Sequence, residues 1–391
     1  MRIAVCTDSY VPEVNGISTS LRTLLPKLTK NATFCVCAPA YADYADTPQK
    51  NITFHRISSI SLPTYKAARL VLPFNHSIEE KLAAFNPDIV HSHTPSTVGY
   101  AGIRFAQKHS LPLIGTFHTL LSEMIQYASL SKKPITKPSL RKKLVWWWLR
   151  YLYNQCTVIT TPTDAMKQEL LRQGMTPPIV VISNGIDLTR YTPKKEYSLR
   201  NVIIHYGRLA YEKNSDVLLH AMTFLVHEHP QLKLEIIGQG PAEASLKKLA
   251  FQLHLQNNVS FLGYLPEREL HQHARKADLF VTASTIETQG IVVLEAMALG
   301  LPIVGVKKHG LIDMIHDNKN GFLVDPFNPR ECAGAIGVIL ANNALRKSMG
   351  IQSRSLVHHH SLPVVVKKWE NLYTQAKKLE KFKYSGVGKE R

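Results

Sequence analysis

The chain has 391 residues and a formal net charge of +18, with 45% hydrophobic and 19% charged residues. Its length favours two domains, and a composition free of low-complexity tracts excludes a disordered or fibrous chain. No apolar run reaches the ~18 residues that would span a bilayer, and "MRIAVCTDSY" lacks the apolar core and cleavage site of a signal peptide, so a cytoplasmic protein is expected.

"MRIAVCTDSYVPEVNG" opens with a short apolar strand and a loop ending in Asn15-Gly16, and a helical pattern begins near Ser18. "NATFCVCAPA" and "NITFHRI" read as further strands bounded by turns. "IEEKLAAFNPDIVHSH" is a helix, a turn and a buried strand ending in His91 and His93; "LPLIGTFHT" is the next strand and carries His118. "CTVITTPTDAMKQELLRQG" runs strand, Thr/Asp cap, helix, Gly stop. Such short alternation marks a doubly wound α/β domain. After "ISNGID" at 182–187 and a polar stretch suited to a linker, the pattern restarts with "VIIHYGRLAYEKN", "LKLEIIGQGP", "VSFLGYL", "ADLFVTAS" and "GIVVLEAMALGLPIVGV".

The expected architecture is therefore α/β, two Rossmann-like domains facing across a cleft. Residues 1–190 form the first, 191–363 the second, and 364–391 a C-terminal helix and tail. In open α/β sheets, ligands sit beyond the carboxyl ends of the strands where the strand order reverses. The five cysteines, Cys6, Cys35, Cys37, Cys156 and Cys332, form no C-x2-4-C pair and read as buried reduced thiols.

The strongest constellation is "ETQGIVVLEAMALGLPIVG". Glu287 precedes a helix starting near Gly290, and Glu295 lies about one and a half turns into it. The free N–H groups and positive dipole end at Gly290 and Ile291 suit a phosphate, with the two carboxylates gripping sugar hydroxyls on either side. A glutamate inside so apolar a run argues against casual exposure. Arg208 and Lys213, five apart on one loop after a strand, suit a diphosphate leaving group. Gly238 in "IIGQGP" and Asn15-Gly16 allow close backbone approach to a ligand. His118 ends a strand and would face the same cleft, although a lone histidine is more often a hydrogen-bonded core residue. His91 and His93 alternate, but neither a carboxylate nor a third histidine accompanies them, and no Asp-x-Asp occurs. A metal-independent reaction with no cofactor is expected.

These residues identify a resemblance. The chain resembles the retaining, two-domain GT-B glycosyltransferases of the family 4 type, the group of phosphatidylinositol mannosyltransferases and diacylglycerol glucosyltransferases. Glu287 and Glu295 match its E-x7-E motif, "GRLAYEKN" its G-R-x4-K-N loop, and Asn15-Gly16 its N-terminal glycine loop. The resemblance implies that Glu287 contacts the donor hexose and Glu295 the ribose. It implies that Arg208, Lys213 and the amides of Gly290 and Ile291 stabilise the departing diphosphate, and that His118 lies beside the transferred sugar. The leaving phosphate would take the acceptor's proton, and the C-terminal helix would cross back to the first domain. Where the family often shows Gly-Gly-x-x-Glu, this chain has His309-Gly310-Leu311-Ile312-Asp313, which leaves the sugar open.

Charge points to the acceptor. Residues 1–195 carry 23 Lys and Arg against 11 Asp and Glu, and no acid lies between Glu123 and Asp164. Within that stretch, "SKKPITKPSLRKKLVWWWLRYLYN" predicts a cationic loop with Lys132 and Lys133, then a helix. At 100° per residue Leu140, Leu144, Trp147, Trp148 and Tyr151 share one face; Lys142, Lys143 and Arg150 lie on the other and Trp146 near the boundary, with Arg141 adding charge. The segment fits an anionic bilayer surface, unless its apolar face packs on the sheet and only the basic face is wet. "LPTYKAARLVLPF" at 62–74 adds a second apolar-basic segment. A lipid acceptor at the inner face of the cell membrane is the expectation, with a soluble sugar or polysaccharide precursor as the alternative. Nucleic-acid binding explains the charge but leaves two enzyme-like domains unexplained and lacks any recognised motif.

Overall fold

The structure, a computed structural model, describes residues 1–13, 15–62, 65–71, 76–123 and 140–384. The chain divides into two compact units, Met1–Gly185 together with Leu362–Arg391, and Ile186–Ser361.

The first unit starts with β1 (Arg2–Cys6), α1 (Gly16–Leu28), β2 (Thr33–Pro39) and β3 (Ile52–Ile57). An antiparallel hairpin of β4 (Ser59–Leu62) and β5 (Tyr65–Val71) interrupts the alternation and overlaps the 62–74 segment. Next come α2 (His76–Phe85), β6 (Ile89–Ser92), α3 (Thr97–Lys108) and β7 (Leu113–Thr116). The unit continues with α4 (Leu140–Tyr153), β8 (Val158–Thr161), α5 (Asp164–Arg172) and β9 (Ile179–Val181). The seven strands outside the hairpin form a parallel sheet ordered β3-β2-β1-β6-β7-β8-β9. All four residues of β6, β7 and β8 are buried, as expected when helices cover both faces of a parallel sheet. Asn15 starts α1 by accepting the Ser18 amide at 3.0 Å, and Thr163 does the same for α5 through Met166.

The second unit comprises β10 (Val202–Tyr206), α6 (Ser215–Glu228), β11 (Lys233–Ile237), α7 (Glu243–Gln252), β12 (Val259–Gly263) and α8 (Glu267–Lys276). It continues through β13 (Leu279–Thr282), α9 (Ile291–Ala298), β14 (Ile303–Val306), α10 (Leu311–Met314), β15 (Gly321–Val324), α11 (Pro329–Ala341) and α12 (Asn343–Val357). Its six parallel strands are ordered β12-β11-β10-β13-β14-β15. The stretch read as a polar linker is packed. Tyr191, Lys194 and Tyr197 are buried, the Lys194 ammonium donates to the Ala277 carbonyl, and buried Arg346 donates to the Tyr197 carbonyl from two nitrogens at 3.1 and 2.9 Å. The chain then ends in α13 (Leu362–Tyr384), whose Val365, Trp369 and Tyr373 join Ile3, Val5 and Phe34 in the core of the first unit.

Helix α4 departs from the expected amphipathic helix. Its Leu149, Leu152 and Tyr153 are buried, and Val145 and Trp146 pack beside them; the Trp146 ring lies parallel to Phe117 at 6.0 Å. The packed face is thus a second apolar face, and half-buried Lys142 lies on it, at an angle between Leu149 and Tyr153. The expected apolar face is turned outward, with Leu144 56%, Trp147 55%, Trp148 37% and Tyr151 53% exposed. Exposed Lys143 and Arg150 flank this open face on one side and Arg141 on the other. Lys132 and Lys133 lie outside the described residues.

All four tryptophans belong to the first unit, so fluorescence follows its unfolding alone. In urea titrations Leu149→Ala should lower its stability by about 2–5 kcal/mol, and Leu144→Ala by less than about 0.5 kcal/mol. Equal losses would refute a helix packed by one apolar face and open on the other.

Candidate active site

Each sheet reverses its strand order once, between β1 and β6 in the first unit and between β10 and β13 in the second. Loops leaving neighbouring strands at a reversal diverge, and the crevice they open is where α/β proteins place ligands. Most of the predicted catalytic and donor-binding residues lie in or next to these loops; His118 follows β7 and Gly238 follows β11.

In the second unit the loop after β10 carries Gly207, Arg208 and Lys213, and the loop after β13 carries Glu287. Lys213 and Glu287 form an ion pair between the two loops, largely shielded from solvent. Burial by itself would raise the Glu287 pKa, but the charge and hydrogen bond of Lys213 outweigh it and hold the carboxyl below the ordinary value. Asn214, in the left-handed region at φ 49°, donates to the Ala283 carbonyl and Thr285 Oγ1, which ties the loops together at a second point. Arg208 donates to Glu212 at 2.7 Å, and that carboxylate is nearly inaccessible. Beneath them, His205 shares Nδ1 with the Val281 carbonyl at 2.9 Å and Nε2 with Ser215 Oγ at 3.1 Å; burial pushes its pKa down to about 4, so it is neutral.

Helix α9 begins at Ile291 after Gly290, whose φ of 82° favours glycine. The first amides of the helix have no acceptor within it, as its geometry requires. Glu295 is half-buried one turn further on. Burial raises its pKa to about 7, while the Tyr191 hydroxyl, donating at 3.3 Å, opposes the rise. Gly238 and Gly240 have a packing role that the sequence did not reveal. A Cβ on Gly238 would lie 1.9 Å from the Gly207 carbonyl oxygen, and one on Gly240 2.2 Å from that of Leu209, so the two loops nest backbone to backbone. His309-Gly310, the departure from the family pattern, is a turn whose Gly310 amide donates to the Glu287 carbonyl at 2.9 Å.

In the first unit Asn15 caps α1 and also donates to Ser9 Oγ at 2.7 Å; Gly16 is the first residue of the helix. Asp8, passed over in the sequence, closes the loop after β1 by accepting the Val98 amide and the Thr97 hydroxyl, both at 2.7 Å, at the start of α3. An acid directly after an apolar strand was its only signal. His118, two residues past β7, meets His93, one residue past β6, with Nε2 2.9 Å from His93 Nδ1. The third histidine that the His91/His93 pair lacked in sequence is therefore present, bonded directly to His93. Among the described residues no group of three or more His, Cys, Asp or Glu is arranged to hold a metal ion, and no helix is long and apolar enough to cross a membrane.

Two family models match the chain in succession: "Glycosyltransferase Family 4" over residues 14–190 and "Glycosyl transferases group 1" over 192–356. The chain is 29% identical over 350 residues to the alpha-monoglucosyldiacylglycerol synthase of Streptococcus pneumoniae, covering 86% of this chain and 77% of the relative. It is 26% identical over 388 residues to a GDP-mannose-dependent alpha-mannosyltransferase of Corynebacterium glutamicum, covering 96% and 87%. The structure of HepE from Anabaena in complex with UDP aligns at 19% identity with a TM-score of 0.76, over 96% of this chain and 100% of that one. With two parallel-sheet units and both motif regions in place, the chain belongs to the GT-B glycosyltransferases of the family 4 type and is a glycosyltransferase.

A carbon-13 carboxylate titration should place the Glu295 midpoint near 7. Tyr191→Phe, which removes the hydroxyl that favours the ionised form, should move it higher. A Glu295 midpoint at an ordinary glutamate value would show that the side chain is not desolvated as described.

Proposed function

We propose that this glycosyltransferase moves a hexose from a nucleoside-diphosphate sugar to a lipid acceptor at an anionic, cytoplasmic membrane surface, with retention of anomeric configuration and without a metal. The lipid half of this reading is carried by the outward apolar-aromatic face of α4, flanked by Arg141, Lys143 and Arg150. Core packing does not explain that face, because the helix packs through a different one. Tryptophans at the interface with cations toward the headgroups are what a bilayer surface selects. The relative named for monoglucosyldiacylglycerol synthesis supports the same acceptor class.

The donor half rests on the crevice of the second unit. Glu287, ionised beside Lys213, would accept hydrogen bonds from sugar hydroxyls, and Glu295 from those of the ribose. Arg208, Lys213 and the α9 N-terminus with Gly290 and Ile291 would take up the charge of the departing diphosphate. Gly238 lets the loop after β11 pack against the loop that carries Arg208, and His118, Asn15 and Gly16 are assigned to the donor sugar by the family resemblance alone. Two relatives are named for α-products, and from an α-linked donor an α-product means retention. With no side chain required as general base, the departing phosphate would accept the acceptor's proton.

Purified protein would be incubated with phosphatidylglycerol-containing vesicles, lipid extract and one labelled donor at a time. Label should enter the organic phase with one donor, and Glu287→Ala should reduce transfer by about 100-fold or more. Donor turnover that never labels lipid would instead favour a soluble acceptor. In flotation with the same vesicles, replacing Trp147 and Trp148 by Ala should weaken binding at least about ten-fold; unchanged flotation would remove α4 from the membrane surface. Activity should survive exhaustive EDTA treatment, and a loss restored by Mg²⁺ or Mn²⁺ would overturn the metal-free mechanism.

A further inference from the structure

The first unit contains a buried stack of three imidazoles that the proposed chemistry uses only at its end. The ring of His93 lies 3.8 Å from that of His91 and 5.3 Å from that of His118, centroid to centroid. His91 is anchored on both sides, by the Tyr373 hydroxyl of α13 at Nδ1 (2.9 Å) and by Thr116 Oγ1 at Nε2 (2.7 Å). Burial, reinforced by the neighbouring rings, holds His91 and His93 far below the ordinary histidine pKa; burial brings His118 to about 4. All three are neutral at physiological pH, so each carries a single ring proton.

That fixes a choice. His93 Nδ1 and His118 Nε2 are 2.9 Å apart, and one of them holds the proton between them. If it were His118, the proton of His93 would sit on its Nε2, which is shut off from solvent and has no partner among the described residues. A buried N–H without an acceptor is the rarer and costlier of the two defects. If instead His93 donates from Nδ1, only a bare ring lone pair is left unpaired, and the proton of His118 must sit on Nδ1. His118 also shares a side-chain hydrogen bond with Asn184. With Nε2 taken by His93, Nδ1 is the nitrogen left for that contact.

We propose that His93 is a positioning residue that locks His118 into the Nδ1–H tautomer and fixes its ring, so that His118 serves as a neutral hydrogen-bond donor and not as a proton-transfer group. Asn184 holds that proton until a hydroxyl of the bound sugar replaces it. The effect on rate rests on the proposed placement of His118 beside the transferred sugar; the tautomer does not.

The tautomer is read directly by long-range ¹H–¹⁵N correlation spectra of the intact, ligand-free protein at pH 7.5, with His118 assigned by comparison with His118→Asn. The expected pattern is a protonated Nδ1 and a bare Nε2 on His118, lost in His93→Leu and kept in His93→Asn, whose amide N–H can occupy the place of Nδ1–H. A His118 proton on Nε2 in the wild type, or a tautomer indifferent to His93→Leu, overturns the proposal. If His93→Leu does not fold, a switch to Nε2–H in His93→Asn overturns it equally. In the transfer assay His93→Leu should lower kcat by about 10- to 100-fold with donor KM nearly unchanged, and His93→Asn should restore most of that loss. Should no donor and acceptor give transfer in the wild type, the proposed function fails while the spectra still decide the role of His93.

Discussion

A parallel sheet that winds outward in both directions from its middle must let two loops part company at the reversal, and in both units of this protein those loops carry candidate site residues. In the second unit the parting loops are held together by charge, with Lys213 from one side meeting Glu287 from the other and Asn214 binding the backbone beneath. In the first unit the Asp8 side chain ties the loop after β1 to the start of α3, and on the next pair of strands His93 meets His118. An ion pair can exchange partners with an incoming charged group, whereas a neutral imidazole pair keeps a fixed, uncharged setting.

Much of this was legible in the sequence because it depends on local pattern. The alternation of strands and helices, the Gly290 helix start and the placement of Glu287 and Glu295 around it follow from short-range periodicity and from the oddity of an acid within an apolar run. What stayed hidden depends on neighbours in the sheet. His93 and His118 are 25 residues apart and meet only because β6 pairs with β7. Gly238 looks like a ligand-binding glycine in sequence, but its requirement comes from the Gly207 carbonyl pressed against it. Tyr191 and Tyr197 were the signal that the supposed linker is packed, outweighed in the reading by the polar residues around them.

Helix α4 shows a different kind of concealment. The angular pattern in the sequence picks out its exposed face residue by residue and shows the opposite face as basic. Leu149, Leu152 and Tyr153 bury themselves at angles where the sequence also offers Lys142, so apolar and charged residues interleave around the circumference. A helix with two apolar faces has room for one in the core, and the other must be met by something outside the unit.

The return of α13 to the first unit also has a consequence for biosynthesis. The second unit is one uninterrupted stretch, Ile186–Ser361, set inside a first unit whose core draws Val365, Trp369 and Tyr373 from the far end of the chain. As the polypeptide leaves the ribosome, the second unit can complete its core while the unit begun earlier still lacks one wall. Birth order and folding order are therefore inverted. The exposed apolar surface of the unfinished N-terminal sheet must be tolerated, or shielded by a chaperone, until the last helix arrives.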